Sequence, residues 1–238
     1  MQLYHFGKGF HYGQDGPGNR LIYHLSGCNL HCPWCSNPEG LFGEGKAVDT
    51  EAMVREILSA RPMFFDGGGV TFTGGECTLQ TGALLQVIAA VREQGVSVAI
   101  ESNAATADFL TLAQVCDEVI ADYKHHDAQK LRDVTGAELA VIEQNLLALT
   151  ARQYVHLRIP LIHGFNDCPG DDVGFVRFFS RLPRDMFDVE ILAYHEYGKE
   201  KWDKLGREYT VVNGNVTTQQ IQTLTSALRE AGVHVIQT

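Results

Sequence analysis

Three thiols lie within eight residues in Cys28-Asn29-Leu30-His31-Cys32-Pro33-Trp34-Cys35, with no fourth cysteine beside them. Thiolates bind soft metals, so this spacing points first to metal chemistry. A structural zinc takes four protein ligands, often from two Cys-x-x-Cys pairs, and the stretch supplies one such pair. His31 is a fourth donor in principle, but its place between Cys28 and Cys32 makes tetrahedral closure awkward. An iron–sulfur cubane uses one thiolate per iron, so three cysteines leave one iron open to bind a substrate. Asn29 and Pro33 favour a turning loop on which three side chains converge. On the residues alone both metals stay open, and the cubane is the better fit.

The other cysteines, Cys77, Cys116 and Cys168, stand apart from one another. Cys77 directly follows Glu76 and is an alternative ligand or nucleophile, although a lone cysteine beside an apolar strand more often packs as a small hydrophobe. Cys116, near a helix end, and Cys168, before Pro169, read as structural. The opening MQLYHFGKGF lacks the apolar core of a secretory signal, and no run approaches the roughly 18 apolar residues of a membrane span. A cytoplasmic protein without a membrane partner is expected, and in that reducing compartment clustered cysteines signal metal rather than disulfides. A net charge of −10 argues against a nucleic-acid partner.

Elements that would position these residues follow from the hydrophobic pattern. Strand-like runs at 20–26, 69–73, 97–101, 118–122, 156–162 and 188–193 alternate with helix-periodic segments at 50–60, 82–94, 107–116, 137–151, 171–182 and 217–231. A short last strand is expected in VHVIQT, and FGEGK and FDGGG read as loops. No composition break or repeat divides the 238 residues, so one domain is expected. Six βα units make an α/β fold, either an open doubly wound sheet or an incomplete barrel, with the ligand site at the carboxyl ends of the strands.

The unusual polar residues follow those strand ends. The cysteines come after the first strand, Gly74-Gly75-Glu76 after the second, and Glu101-Ser102-Asn103 at the third. Asp122-Tyr123-Lys124 ends the fourth, Arg158 and His163 lie on or after the fifth, and YHEYGKEKW starts at Tyr194 after the sixth. Polar residues occur wherever strands meet loops, but six such coincidences are the layout of an enzyme site.

Cys-x-x-x-Cys-x-x-Cys with an aromatic residue before the last cysteine resembles the cluster motif of the radical S-adenosylmethionine (SAM) superfamily. Further segments narrow the resemblance to the glycyl radical enzyme activases of the pyruvate formate-lyase type. These are DGPGNR (15–20), GGGVTFTGGECTLQ (67–80), DYK (122–124) and LAYHEYGKEKWDKLGREY (192–209). The resemblance implies a partial (β/α)6 barrel of the radical SAM type. It implies one [4Fe-4S] cluster on Cys28, Cys32 and Cys35, with the amino and carboxylate groups of SAM on the fourth iron. Trp34, Cys35, Ser36 and Asn37 would border SAM, and Gly74, Gly75 and Glu76 would receive its amino end. Glu101, Ser102, Asp122, Tyr123, Lys124 and Arg158 would line the pocket, and His195 would complete it.

Related activases carry Asp-Thr-Asn where this chain has Glu101-Ser102-Asn103, so a monovalent cation there is either retained or lost. They carry a histidine at the position of Ser36. Only 14 residues, none of them cysteine, separate Cys35 from Thr50, which excludes the eight-cysteine ferredoxin-like insert of many relatives and leaves a single cluster. No side chain need act as general base beyond the cluster and SAM, so the remaining histidines read as structural or solvent-facing. The implied partners are a glycyl radical enzyme and a flavodoxin or ferredoxin-type electron donor, acting on a monomer. Residues 15–20 and 194–209 are the candidate partner surface, against a bland reading of a rigid turn and an amphipathic connection. Two alternatives remain: a radical SAM enzyme acting on a small molecule, as in the carboxy-deazaguanine synthases, and a metal-stabilised binding protein without catalysis.

Overall fold

In a computed structural model the described residues are 1–43 and 45–236. Glu44 of the FGEGK loop and the last two residues of the expected terminal strand lie outside them. The chain divides into two compact units, one of Met1–Asn29, Asn37–Ser102 and Thr106–Ile120, the other of Leu30–Ser36, Asn103–Ala105 and Ala121–Thr238.

The first unit opens on β1 (Gln2–Tyr12) and β2 (Asn19–Leu25), an antiparallel pair, followed by the short α1 (Glu39–Phe42). Next come β3 (Lys46–Asp49), α2 (Thr50–Ser59), β4 (Gly69–Gly74), α3 (Thr81–Glu93), β5 (Ser97–Ser102) and α4 (Phe109–Ala113). The strand β6 (Glu118–Asp122) starts in this unit and ends in the other. The sheet order within the unit is β3-β1-β2-β4-β5. β2, β4 and β5 run parallel, with Leu25 opposite Gly74 and Gly69 opposite Ser97. Ile22, Tyr23, Val70, Phe72 and Ile100 are fully buried, which explains why these strands read as continuous apolar runs. Leu84, Val87 and Val91 of α3 bury one face at helical spacing.

The second unit contains α5 (Ala128–Thr135), α6 (Leu139–Thr150), β7 (Val155–Leu161), α7 (Asp171–Phe179), β8 (Phe187–Ala193), α8 (Lys199–Lys204), α9 (Thr218–Glu230) and β9 (Val235–Ile236). β7, β8 and β9 are parallel neighbours in that order. Phe175, Phe178 and Phe179 of α7 join Leu157, Ile159 and Val189 in its core. No described helix is long and apolar enough to cross a membrane.

All six expected strands exist within a residue or two of their predicted bounds. The antiparallel β1 was not expected, because Gly7 and Gly9 interrupt its alternation and its pairing with β2 and β3 is antiparallel rather than part of a βα unit. The helix expected over 107–116 is limited to Phe109–Ala113. α5 was missed because it is short and polar, yet its ends are well marked: Asp127 accepts from the Lys130 N–H, and Gly136 closes it at φ 80°.

The DGPGNR segment is a braced turn whose last two residues, Asn19 and Arg20, are buried while Pro17 is exposed. Arg20 is 1% exposed and donates to Thr71 Oγ1 (2.8 Å), the Val70 carbonyl (2.8 Å) and the Ser97 carbonyl (3.2 Å). Thr71 Oγ1 in turn donates to the Asp15 carbonyl at 2.7 Å. Burial lowers the guanidinium to about 10, against the raising influence of nearby Glu118 and Asp117. Gly18 sits at φ 67°, where a Cβ would lie 2.4 Å from the carbonyl oxygens of Phe65 and Asp66. Arg20→Met should lower stability by about 3 kcal/mol, because it strands buried acceptors. His11→Ala, which removes only a part-buried contact to Asp15 (2.6 Å), should cost no more than about 1 kcal/mol. Urea midpoints of the two variants check the difference.

Candidate active site

The three clustered cysteines lie on an irregular loop, residues 26–38, between β2 and α1. All six cysteines are thiols; Cys28 and Cys35 are partly exposed and Cys32 is 9% exposed. The loop contributes Cys28 and Asn37 to the first unit, and Cys32, Trp34, Cys35 and Ser36 to the second.

In the first unit the backbone before Cys28 is fixed by the glycines that end β4. The Gly75 N–H donates to the Leu25 carbonyl at 2.8 Å, and the Glu76 N–H to the Gly27 carbonyl at 2.7 Å. A Cβ on Gly75 would lie 2.0 Å from the Gly27 oxygen. One on Gly74, at φ 115°, would lie 2.3 Å from the Leu25 nitrogen. The close approach that these glycines permit is therefore to the chain's own backbone beside Cys28. Asn37 follows in the same unit, its carbonyl accepting from the Gly40 N–H at 3.0 Å.

Glu76 is 1% exposed, and its Oε1 accepts from Thr78 Oγ1 (2.7 Å), Ser102 Oγ (2.8 Å) and the Thr78 N–H (3.1 Å). This carboxylate caps the 3-10 turn Cys77–Gln80 and ties it to the end of β5. Glu101, on β5 beside Ser102, accepts from Thr73 Oγ1 at 3.0 Å. Cys77 is fully buried, and burial together with the neighbouring Glu76 carboxylate pushes its thiol well up. Cys116 is also buried and pushed up to about 12. Both thiols therefore have the protonated, packing character expected of structural cysteines.

In the second unit the Cys35 N–H turns back to the Cys32 carbonyl at 3.1 Å. Trp34 packs on Phe165 with ring centroids 4.7 Å apart. His31 donates its backbone N–H to the Thr135 carbonyl at 3.0 Å, and its ring lies over Gly136, where a Cβ would be 2.6 Å from it. The segment after β8 reaches the same loop: Trp202 Nε1–H donates to the Cys35 carbonyl at 2.8 Å. Gly198 approaches so closely that a Cβ would lie 2.4 Å from that oxygen and 2.8 Å from Ser36 Cα.

Asp122 and Lys124 form an ion pair at the end of β6, with Lys124 8% exposed. Tyr123, between them, faces the opposite way by strand alternation. Its ring is fully buried, stacked 4.4 Å from Phe178, and its hydroxyl donates to Glu143 at 3.1 Å. Burial raises that phenol far above its ordinary range. Arg158 sits within β7, and its Nε donates to Glu190 of β8 at 2.8 Å. His195 follows β8, exposed and stacked 4.1 Å from Tyr197, and partial burial lowers its imidazole.

Sequence reasoning missed the contact of Trp202 and Gly198 with the cysteine loop. The signal is present in YHEYGKEKW, whose glycine and tryptophan lie in a segment that also reads as a candidate partner surface. Part of the segment does face outward, since Tyr197 is 79% exposed, but Trp202 is 8% exposed. His125, His126 and Asp171 also gather, with ligand atoms within 4.8 Å of one another. Both His125 nitrogens are engaged, by the Asp127 N–H (2.9 Å) and the Phe165 carbonyl (2.8 Å), while His126 Nε2 meets Asp171 at 2.8 Å. This is a satisfied hydrogen-bond network, in keeping with a structural role for both histidines.

Residues 22–176 match the model of the Radical SAM superfamily. The chain is 34% identical over 207 residues to the pyruvate formate-lyase-activating enzyme of Staphylococcus aureus (strain USA300), covering 82% of each protein. It is 29% identical over 263 residues to the pyruvate formate-lyase 2-activating enzyme of Escherichia coli (strain K12), covering 93% of this chain and 87% of the relative. A solved domain of the pyruvate-formate lyase-activating enzyme from Bacteroides vulgatus ATCC 8482 superposes with a TM-score of 0.60 at 23% identity, over 72% of this chain and 99% of that domain. Together these similarities establish the α/β fold class of the radical SAM type, a partial (β/α)6 barrel.

Thiol labelling separates the two kinds of cysteine. In metal-free protein at pH 9, iodoacetamide should modify Cys28 and Cys35 quickly, while Cys77 and Cys116 stay unmodified until the chain is unfolded. The sign follows from burial, which holds Cys116 protonated until the pH nears about 12. Peptide mass spectrometry reads the order.

Proposed function

The chain belongs to the radical SAM superfamily, and we propose that within it the protein is a glycyl radical enzyme activase. A [4Fe-4S] cluster with bound SAM supplies the chemistry of this superfamily, one-electron cleavage of SAM to a 5′-deoxyadenosyl radical that takes a hydrogen atom. For this chain the hydrogen donor is a glycine Cα of a partner enzyme. The observation that carries the proposal is the Cys28, Cys32, Cys35 loop. Its backbone is braced beside Cys28 by Gly75 and Glu76, and beside Cys35 by Trp202 and Gly198. Three thiols on an irregular, braced loop fit a cubane that keeps one iron for a ligand.

The side chains hold and orient rather than transfer protons, so no general base is assigned. Cys28, Cys32 and Cys35 are the proposed cluster ligands. Trp34, Ser36 and Asn37 border the SAM site, and the amino end of SAM lies at Gly74, Gly75 and Glu76. An ammonium there is favoured by the buried Glu76 carboxylate, and a carboxylate by Lys124. Asp122, Tyr123, Arg158, Glu101 and Ser102 complete the lining, Tyr123 through its backbone. His195, held against Tyr197, closes it. A monovalent cation, if bound, is held at Glu101 and Ser102. Positioning of this kind is the protein's main contribution when a cofactor carries the reaction.

The family match runs through residues of both compact units, which supports one radical SAM domain over the whole chain. The names of the relatives support pyruvate formate-lyase, or another glycyl radical enzyme, as partner. A flavodoxin or ferredoxin-type protein supplies the electron, and the enzyme works as a cytoplasmic monomer.

Anaerobic reconstitution with iron and sulfide, reduction and addition of SAM should give 5′-deoxyadenosine, and a glycyl radical signal only when the partner enzyme is added. Deoxyadenosine with a small molecule and never a glycyl radical would assign a different substrate, and none under any condition would refute the proposal. Alanine at Cys28, Cys32 or Cys35 should abolish both products and lower the bound iron, whereas Cys168→Ala should leave iron at the wild-type level.

A further inference from the structure

We propose that Trp202 and Gly198 are positioning residues for the third cluster cysteine, and that the indole N–H tunes the reduction potential of the cluster through the Cys35 peptide. This inference rests on the reading of Cys28, Cys32 and Cys35 as cluster ligands.

Two independent features converge on one carbonyl. Cys35 lies in irregular backbone, and its oxygen receives the Trp202 Nε1–H at 2.8 Å from 167 residues away in sequence. Gly198 has φ −78° and ψ −20°, a conformation open to any residue, so glycine is required there for space. A Cβ would lie 2.4 Å from the same oxygen. The tryptophan is itself anchored. Its ring meets Tyr209 edge-on at 6.0 Å, and the Tyr209 hydroxyl is 2.8 Å from that of Tyr194. The Tyr194 N–H donates to the Leu161 carbonyl at 3.0 Å, and its ring lies over Gly214, where a Cβ would be 2.8 Å away. The indole is thus held from the ends of β7 and β8, not by a loose loop.

The electrostatic consequence follows from the direction of the bond. The positive end of the N–H dipole offsets the Cys35 carbonyl oxygen in the peptide adjoining the thiolate. That reduces the negative potential at the sulfur and favours the more negatively charged, reduced cluster. Fixing the peptide also keeps the thiolate aimed, which slows loss of iron. Simple packing of α8 on the loop would depend on the bulk of the indole and not on its N–H.

Trp202→Phe removes the donor and keeps an apolar aromatic ring of smaller volume, so the midpoint potential is the readout that separates loss of the N–H from loss of packing; Gly198→Ala disturbs the same carbonyl while leaving the indole in place. Each reconstituted protein is titrated electrochemically with EPR detection, and iron release to a chelator is timed. Trp202→Phe is expected to load iron as wild type does, to shift its midpoint potential more negative, and to release iron about 10-fold faster. Gly198→Ala is expected to accelerate release similarly. If Trp202→Phe retains the wild-type potential, the inference is overturned whatever its release rate, because loss of packing alone speeds release. If it does not fold, Gly198→Ala decides, and a wild-type release rate there overturns the inference. A wild-type protein that assembles no four-iron cluster overturns the ligand assignment itself, an outcome visible before any variant is compared.

Discussion

The site depends first on a backbone approach that leaves no room for a side chain. The ends of β2 and β4 meet at Leu25–Gly27 and Gly74–Glu76, joined by two amide hydrogen bonds of 2.8 and 2.7 Å. A single Cβ at Gly75 would come within 2.0 Å of the Gly27 oxygen. The residue after Gly27 is Cys28, so the position of the first thiol is inherited from the parallel pairing of two buried strands. The flanking elements follow from that constraint. Glu76 leaves the junction buried, and a buried carboxylate must be satisfied, so Thr78 and Ser102 are turned toward it.

The last thiol is secured differently. Its peptide carbonyl lies outside any ladder and is satisfied by an indole from the segment after β8. Cys28 is placed by a strand end in the first unit, and Cys35 by a side-chain hydrogen bond within the second, with no regular structure at either cysteine. Charge is treated the same way. Arg20, Arg158 and Lys124 are each engaged by acceptors, and His125 has both nitrogens occupied. Radical chemistry asks a protein for position and exclusion rather than proton transfer.

Much of the fold was legible. The parallel strands are apolar on both faces, so Leu21-Ile22-Tyr23 and Val119-Ile120-Ala121 announce themselves without regard to their neighbours. β1 was not legible, because its stability comes from pairing with β2 and β3, not from its own pattern. DGPGNR was legible as a turn, but the burial of its arginine was not, since nothing local reveals acceptors at Val70 and Ser97.

The sequence by itself carried the three-cysteine spacing that resembles the radical SAM motif, and the strand-end placement of the polar residues. Cysteine spacing is a covalent fact, and hydrophobic period reports burial directly. What only the tertiary structure decided was the role of residues that act at a distance. Gly74 and Gly75 approach the backbone before Cys28, Tyr123 turns into the core between two polar neighbours, and Trp202 donates to the Cys35 carbonyl. Each depends on which atoms the fold brings within about 3 Å, and a one-dimensional pattern carries no record of that.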